Sequence, residues 1–291
     1  MKPMKRKETF KTALTILAGF AIFITFLSFF QSYMIVHPPR RPPIFDPSDY
    51  GMSYETAAFE SPDGLELKGW LIPNNQSNSL VIVCHGHGAN KGDVLFAAKF
   101  LHNNGYEILL FDFRAHGESE GYLATLGWLE PNDLKAAIEY AKNRTNPENI
   151  GVIGFSMGGT TAITTAGQTN DIKAVIADSA FADRYRLIRK AVNLPLLDYI
   201  IVFLAQIQGM NMHENLPIDY VSEIAPSALL IIQGDQDRLV ETEDAELLYN
   251  KAKQPKELWL VENTPHVRAY QTQKQEYERR VSSFFDKYLE G

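Results

Sequence analysis

The sequence has 291 residues, of which 45% are hydrophobic and 22% are charged, a composition typical of a folded globular protein rather than a disordered or fibrous one. The formal net charge of −7 argues against a protein whose main task is to coat nucleic acid, so no nucleic-acid partner is expected. Because Cys84 is the only cysteine, no intramolecular disulfide can form and no cysteine-rich zinc site is available.

The N-terminus predicts a membrane helix. Residues 1–11 carry five basic side chains and one glutamate, whereas residues 12–36 carry no charge. A helix needs about 20 apolar residues to cross the hydrocarbon core, and the second segment supplies them. By the positive-inside rule, we expect residues 1–11 to be a cytoplasmic tail, residues 12–36 to be a single-pass transmembrane signal anchor in the cell membrane, and everything beyond to be extracytoplasmic.

The anchor has one alternative, and a linker follows it. A cleaved signal peptide has the same order of charge and apolar residues, but we favour a retained anchor because the run is long and no small-x-small cleavage site follows it. Residues 37–50 contain five prolines and predict an extended, polyproline-like linker. For Arg40 and Arg41 in this linker we leave two roles open: contact with lipid headgroups, or simply keeping the linker solvated.

From residue 51 onward, short β-branched runs alternate with longer helical patterns, which is typical of an α/β fold with a mostly parallel sheet and helices on both faces. The turn Ser61–Gly64 contains Asp-Gly and predicts that the first two strands form an antiparallel hairpin. The eight predicted strands are Tyr54–Phe59, Leu65–Leu71, Leu80–Cys84, Glu107–Phe111, Ile150–Phe155, Ala174–Ala177, Ala228–Gln233 and Glu257–Val261. The predicted helices are Asp93–Asn104, Glu130–Lys142, Met157–Gly167, Glu243–Lys251 and Gln271–Leu289.

The segment Gly154-Phe-Ser-Met-Gly158 has the pattern G-x-S-x-G and lies where a predicted strand meets a predicted helix. A sharp turn there strains the backbone of the serine, and the two flanking glycines relieve the clash between strand and helix. The turn places Ser156 at a helix N-terminus, where developing negative charge is stabilised. We predict Ser156 as a nucleophile; the alternative is a glycine-rich helix start without chemistry.

A serine hydroxyl needs a histidine base to become a nucleophile at neutral pH. Only two histidines follow Ser156. His213 lies in an irregular region before the next predicted core strand, whereas His266 lies in a loop directly after the last predicted strand. We therefore expect His266 to be the base.

The acid that orients the histidine should follow the predicted strand Ala228–Gln233, where Asp235 and Asp237 are available. We choose Asp237 because the residue three positions after Gly234 is better placed to reach across to the histidine loop. Asp235 would then cap the turn through local hydrogen bonds. For either residue, the alternative is a surface carboxylate without a role.

The segment His85-Gly-His87-Gly follows another predicted strand, and its glycines allow close backbone approach. We expect the backbone N–H groups of His87 and Met157 to form an oxyanion hole. Two histidines so close invite a metal interpretation, but no acidic or cysteine pattern completes a site, and we predict no metal and no cofactor. His85 is expected to form internal hydrogen bonds at the strand end.

The segment Asp112–Ser119 resembles the D-x-R-G-H-G-x-S loop of the alpha/beta-hydrolase family, with Ala115 in place of the usual glycine. Together with the serine motif, the sequence from Tyr54 to the C-terminus resembles this family, in particular its esterase, lipase and serine-aminopeptidase-like group and bacterial members with one N-terminal anchor. The resemblance implies an alpha/beta-hydrolase domain over residues 51–291, a helical cap inserted at about 181–220, and a triad of Ser156, Asp237 and His266.

These observations predict a membrane-anchored serine hydrolase that cleaves carboxylic esters, with a small-molecule or lipid-like ester as its partner and apolar acyl groups as the expected class. The alternatives are a peptidase, an aminopeptidase or an acyltransferase that uses the same residues, or a non-catalytic scaffold. The apolar segment Leu194–Gly209 in the cap has three interpretations: a helix packed over the sheet edge, a wall of an acyl pocket, or a surface in contact with the bilayer. Nothing in the sequence implies a defined oligomer.

Overall fold

The computed structural model describes residues 3–192 and 197–290. Residues 1–2 of the predicted tail, residues 193–196 of the predicted cap and the final residue lie outside the described part. Within the described part, a long N-terminal helix precedes a sheet that is covered by helices on both faces.

The sheet has eight strands, as the sequence predicts, and all pairings are parallel except the two at one edge. The strands are β1 (Glu55–Glu60), β2 (Glu66–Ile72), β3 (Ser79–Cys84), β4 (Glu107–Phe111), β5 (Asn149–Phe155), β6 (Ile172–Asp178), β7 (Ala228–Gly234) and β8 (Lys256–Val261). Their spatial order is β1-β2-β4-β3-β5-β6-β7-β8. Only β2 runs antiparallel to its two neighbours. Strands β3 and β7 are buried along their whole length, which explains their almost entirely apolar sequences.

The helices divide between two apolar cores, one on each face of the sheet. The helices are α1 (Pro3–Val36), α2 (Leu95–Asn103), α3 (Glu130–Arg144), α4 (Met157–Ala166), α5 (Arg184–Val192), α6 (Leu197–Ile207), α7 (Pro217–Tyr220), α8 (Thr242–Lys251), α9 (Ala269–Thr272) and α10 (Lys274–Leu289). Helices α3, α4 and α8 cover the first face, and α2 and α10 cover the second.

Two predicted helices differ from those observed. The pattern that predicts one helix over Gln271–Leu289 forms α9 and α10 instead, because the backbone of Gln273 leaves the helical region at φ −133°. The predicted start of α2 at Asp93 belongs to a 3-10 turn over Lys91–Val94. This turn is capped by Asn90, whose side chain accepts a hydrogen bond from the Gly92 backbone N–H at 2.8 Å.

Helix α1 has an exposed N-terminal part and a C-terminal part that packs on the rest of the protein. Residues Lys7–Val36 are long and apolar enough to cross a membrane. Near its end, the side chains of Ser28, Ser32 and Val36 are buried, and α6 packs against this part of the helix. Helix α1 and the rest of the domain are therefore in direct contact.

The proline-rich segment after α1 lies against the domain. The guanidinium of Arg40 donates to the Ser119 carbonyl, and that of Arg41 donates to the Gly88 carbonyl at 2.6 Å. Both arginines therefore hold this segment on the domain surface, a role that neither open interpretation of them includes. A 3-10 turn over Pro47–Tyr50 completes the segment.

The cap between β6 and β7 contains α5, α6 and α7. Of the three interpretations of its apolar middle, packing is observed, but against α1: the buried face of α6 includes Ile201, Val202 and Ala205. The cap helix that lines the cavity described below is α5. The opposite face of α6 remains exposed and apolar.

Ala115, which stands where the family has glycine, adopts a left-handed backbone conformation with φ 58°. This conformation costs an L-residue about 1–2 kcal/mol, part of which is offset by the lower unfolded-state entropy of alanine. We expect Ala115→Gly to raise the free energy of unfolding by about 0.5–1 kcal/mol in urea titrations. The matched control is Ala136→Gly within α3, where glycine should lower stability by about 1 kcal/mol. A lower unfolding midpoint for Ala115→Gly would contradict this explanation.

Candidate active site

Ser156 occupies a sharp turn between β5 and α4. Its backbone has φ 52° and ψ −115°, a strained conformation for a residue with a side chain. A Cβ atom on Gly154 would lie 2.2 Å from the Gly158 carbonyl oxygen, and one on Gly158 would lie 2.4 Å from the Cys84 carbonyl oxygen. Strand, turn and helix can therefore pack this closely only with glycine at both positions of the motif.

A chain of two hydrogen bonds links the three residues predicted for catalysis. His266 Nε2 lies 3.0 Å from Ser156 Oγ, and His266 Nδ1 lies 2.6 Å from Asp237 Oδ2. Because a carboxylate can only accept, Nδ1–H donates to Asp237 and Nε2 is free to accept the serine hydroxyl proton. The structure thus brings Ser156, His266 and Asp237 together, although 110 positions separate the first two in sequence.

Asp237 is held by donors from its own loop and from the end of β7. Its Oδ1 accepts the backbone N–H groups of Leu239 and Val240, each at 2.9 Å. Its Oδ2 accepts the Gln233 side-chain amide at 3.1 Å in addition to the histidine. These bonds fix the carboxylate orientation in a buried position. Sequence reasoning missed Gln233, although a polar residue at the end of an otherwise apolar strand was a usable signal.

Asp235, which we expected to cap its own turn, contacts the histidine loop instead. Its Oδ1 accepts the Thr264 backbone N–H at 3.2 Å. The two loops approach so closely that a Cβ atom on Gly234 would lie 2.1 Å from the Thr264 carbonyl oxygen. Asp235 therefore joins the loops that carry Asp237 and His266.

A second buried carboxylate, missed at the sequence level, supports the histidine loop. Asp178 at the end of β6 accepts the Tyr277 hydroxyl and the Ser179 hydroxyl, both at 2.9 Å. Ser179 Oγ in turn accepts the backbone N–H of Val267, the residue after His266, at 3.1 Å. Burial raises the pKa of Asp178 to about 6. This network positions the loop without touching the imidazole ring.

The expected oxyanion-hole residues both line the same cavity as Ser156. Met157 is the first residue of α4, so its N–H has no acceptor within the helix. The imidazole of His87 donates from Nε2 to the Ile35 carbonyl at 2.7 Å. This bond fixes the loop that carries the other expected donor, the backbone N–H of His87. Neither backbone N–H donates to an acceptor elsewhere in the described residues.

His85 forms internal hydrogen bonds beneath this loop. Its Nδ1–H donates to the Gly86 carbonyl at 2.7 Å, and its Nε2 accepts the Phe113 backbone N–H at 3.0 Å. Burial lowers the pKa of His85 to about 4, so the ring stays neutral at pH 7. Over the part of the chain that is described, no group of three His, Cys, Asp or Glu residues is arranged to hold a metal ion. His213 is exposed and does not line the cavity.

The cavity around Ser156 has a volume of 530 Å³, within the range of small-molecule sites. Its apolar lining comes from both cores. From the first core come Ile35, Leu126, Met157, Phe181, Leu187, Ile188 and Leu239. From the second core come Val94, Phe96, Phe155 and Val267. Asp93, Arg268 and Gln271 add polar groups to this lining.

Comparison with known proteins agrees with this architecture. The family model described as alpha/beta hydrolase fold matches residues 79–204. The esterase Pf2001 of Pyrococcus furiosus is 30% identical, with a TM-score of 0.76 over 88% of this chain and 98% of that one. The uncharacterized protein YqkD of Bacillus subtilis is 31% identical over 247 residues, which cover 80% of each chain. The chain belongs to the alpha/beta-hydrolase family.

Membership of this family confirms the resemblance on which the fold prediction was based. The uncharacterized protein YfhR of Escherichia coli K12 extends the comparison, with 29% identity over 266 residues that cover 86% of this chain and 87% of the relative. The alpha/beta-hydrolase fold and the similarity to an esterase together support a hydrolase activity for the chain.

Proposed function

We propose that this protein is a membrane-anchored serine esterase that hydrolyses carboxylic esters with apolar, lipid-like acyl groups. The observation that carries this proposal is the hydrogen-bonded chain Ser156–His266–Asp237 in a cavity with a mostly apolar lining. Such a chain is the arrangement that activates a serine hydroxyl toward a carbonyl carbon.

In the acylation step, Ser156 Oγ attacks the ester carbonyl carbon while His266 Nε2 takes the hydroxyl proton. Asp237 accepts from His266 Nδ1–H and stabilises the imidazolium that forms. The carbonyl oxygen becomes an oxyanion that accepts from the backbone N–H groups of Met157 and His87, which have no acceptor in the described residues. The position of Ser156 at the start of α4 adds the favourable helix dipole.

The intermediate then collapses. The bond between the carbonyl carbon and the alcohol oxygen breaks, and the alcohol leaves with the proton from His266 Nε2. A water molecule gives a proton to the same nitrogen as it attacks the carbonyl carbon of the acyl-serine. The bond between this carbon and Ser156 Oγ then breaks, His266 Nε2 returns its proton to Oγ, and the carboxylic acid leaves. Each proton thus passes through one histidine nitrogen, and the cycle consumes one water molecule.

The cap favours an ester substrate over a peptide with a free amino terminus, which would require an acidic residue facing the site. Asp198 pairs with Arg189 at 3.1 Å, and Asp183 accepts the Tyr185 backbone N–H at 2.5 Å. Among the described residues, Asp93 is the acidic residue that lines the cavity, and its carboxylate accepts the backbone N–H at the start of its own 3-10 turn. Within the described residues, neither Asp183 nor Asp198 of the cap therefore lines the cavity as a ligand for an ammonium group.

The packing of α1 supports a retained anchor. Cleavage after Val36 would remove Ile35 from the cavity and would leave the His87 imidazole without its acceptor. It would also remove the backbone carbonyl of Val36, which accepts the Ala124 N–H at 2.9 Å. With the basic residues on the cytoplasmic side, the catalytic domain would then be extracytoplasmic.

The proposal is tested on the full-length protein in detergent micelles with a fluorophosphonate probe, which reacts only with an activated serine, and with p-nitrophenyl esters of increasing chain length. We expect labelling and ester hydrolysis in the wild type, and neither in Ser156→Ala or His266→Ala. The matched control is His213→Ala, which removes an exposed histidine and should keep both activities. Absence of labelling in a folded wild-type protein would overturn the proposal and favour a non-catalytic scaffold.

A further inference from the structure

The last turns of α1 pack into the hydrolase domain. Ser28, Ser32 and Val36 are buried and recur every four residues, so they form one face of the helix. Small residues at this spacing let two helix backbones approach closely, and α6 packs against α1 here. The Gln208 side-chain amide donates to Ser32 Oγ at 2.8 Å across this contact.

The same helix end extends to the candidate active site. Ile35 lines the cavity that contains Ser156, and its carbonyl accepts from His87. The backbone N–H of His87 is also one of the proposed oxyanion donors. Helix α1 therefore contributes part of the cavity wall and a support for the loop that contains His87. A helix that only tethered the domain would have neither contact.

Helix α6 has an exposed apolar stripe on its outer face. Tyr199, Phe203 and Ile207 follow one another at a spacing of four and are 58%, 59% and 65% exposed. Three large apolar side chains in a row on an exposed helix mark a surface that contacts another apolar phase. The helix that α6 packs against is itself the membrane-spanning candidate of this chain.

The length of α1 sets the depth of this stripe. About 20 helical residues cross the hydrocarbon core, so a span that starts after the last charged residue, Lys11, ends near Gln31. Ser28 and Ser32, which are buried at the contact with the domain, lie on either side of that point. With α1 inserted in this way, α6 would lie at the level where acyl chains meet the headgroups, and the bilayer would continue from α1 onto its outer face.

We propose that the outer end of the membrane helix is part of the acyl-binding pocket, and that this pocket takes the acyl chain of an ester embedded in the bilayer against which α6 lies. Ile35 then determines which acyl chains fit, and the stripe Tyr199, Phe203 and Ile207 seats the cavity at the bilayer surface. This inference rests on the proposed esterase function. It adds the substrate class, bilayer-borne long-chain acyl esters, and a specificity-determining residue in the anchor.

The first test changes Ile35 in the full-length protein reconstituted in phosphatidylcholine nanodiscs. The readout is the ratio of kcat/KM for 4-methylumbelliferyl palmitate to that for the butyrate ester. We expect Ile35→Trp to lower this ratio at least about tenfold, since a single methylene in a hydrophobic pocket changes kcat/KM by about 10- to 200-fold. The matched control is Met34→Trp, one position earlier on an exposed side of the helix, which should keep the wild-type ratio.

Ile35→Ala is the second variant, because it cannot overfill the cavity. We expect it to move the preferred chain length upward. Fluorophosphonate labelling reports whether each variant keeps an assembled site. The proposal is wrong if, in variants that still label, the palmitate-to-butyrate ratio stays within about twofold of wild type and the preferred chain length is unchanged. Ile35 would then not select the acyl chain.

The bilayer contact has its own test. Phe203→Glu should lower the ratio of palmitate to butyrate hydrolysis in nanodiscs at least about tenfold, because a charge at this depth lifts the cap from the bilayer. The control is Leu247→Glu on α8, which also makes an exposed apolar side chain acidic and should keep the ratio. An unchanged ratio for Phe203→Glu would remove the bilayer from the proposal. A wild type that is neither labelled nor active on either ester would instead overturn the esterase function itself.

Discussion

Asp237→Asn is expected to lower kcat for ester hydrolysis by about four orders of magnitude while leaving the protein folded. An asparagine in this place can turn its amide NH₂ toward His266 Nδ1, which would then accept rather than donate. The imidazole proton would move to Nε2, and that nitrogen could no longer take the proton of Ser156. The amide would also lack the negative charge that stabilises the imidazolium. Fluorophosphonate labelling should slow in parallel with ester hydrolysis.

The matched control is Asp235→Asn, two positions earlier in the same loop. This side chain accepts from the Thr264 backbone N–H, a bond that an asparagine carbonyl can also accept. We expect kcat within about threefold of wild type, because the charge near His266 is supplied by Asp237. If both variants lost activity equally, the loop as a whole would matter and the assignment of the acid to Asp237 would be unsupported. If only Asp235→Asn lost activity, the catalytic acid would be Asp235 rather than Asp237.

The local features of the site were accessible from sequence because each is dictated over a few residues. The run Ile150–Phe155 predicts a buried strand through its apolar side chains, and the glycines around Ser156 mark the turn through sterics alone. His266 is the one histidine in the sequence after the last predicted strand, which identified the candidate base. Parallel strands carry their carboxyl ends to the same edge of a sheet, which is why loops distant in sequence meet there.

The supporting contacts were not accessible because they join elements that sequence alone does not orient. Nothing near Tyr277 indicates that its hydroxyl reaches Asp178 across 99 positions. The apolar pattern of α6 predicts burial without naming the partner, and the partner is α1, which the same pattern assigned to the membrane. The cavity lining by Ile35 depends on where α1 ends relative to the domain, which follows from tertiary packing.

Gly154→Ala tests whether the steric design of the turn controls both stability and activity. The added methyl group would lie 2.2 Å from the Gly158 carbonyl oxygen and 2.5 Å from the Gly159 nitrogen, both of them backbone atoms of the first turn of α4. Because neither can rotate away, β5 and α4 must separate. We expect the free energy of unfolding to fall by about 3 kcal/mol or more in urea titrations.

The same separation would move Ser156 Oγ away from His266, and a misplacement of about 1 Å lowers the rate about a hundredfold. The folded fraction of Gly154→Ala should therefore label poorly with a fluorophosphonate. Gly151→Ala is the matched control on the same strand, where the methyl group would meet the ends of the Phe285 and Leu289 side chains at 2.7 Å and 2.8 Å. Those ends can shift, so we expect a loss of about 1–2 kcal/mol in stability with labelling preserved. Equal losses of labelling in both variants would mean that general packing of β5, rather than the backbone contact at the turn, positions the serine.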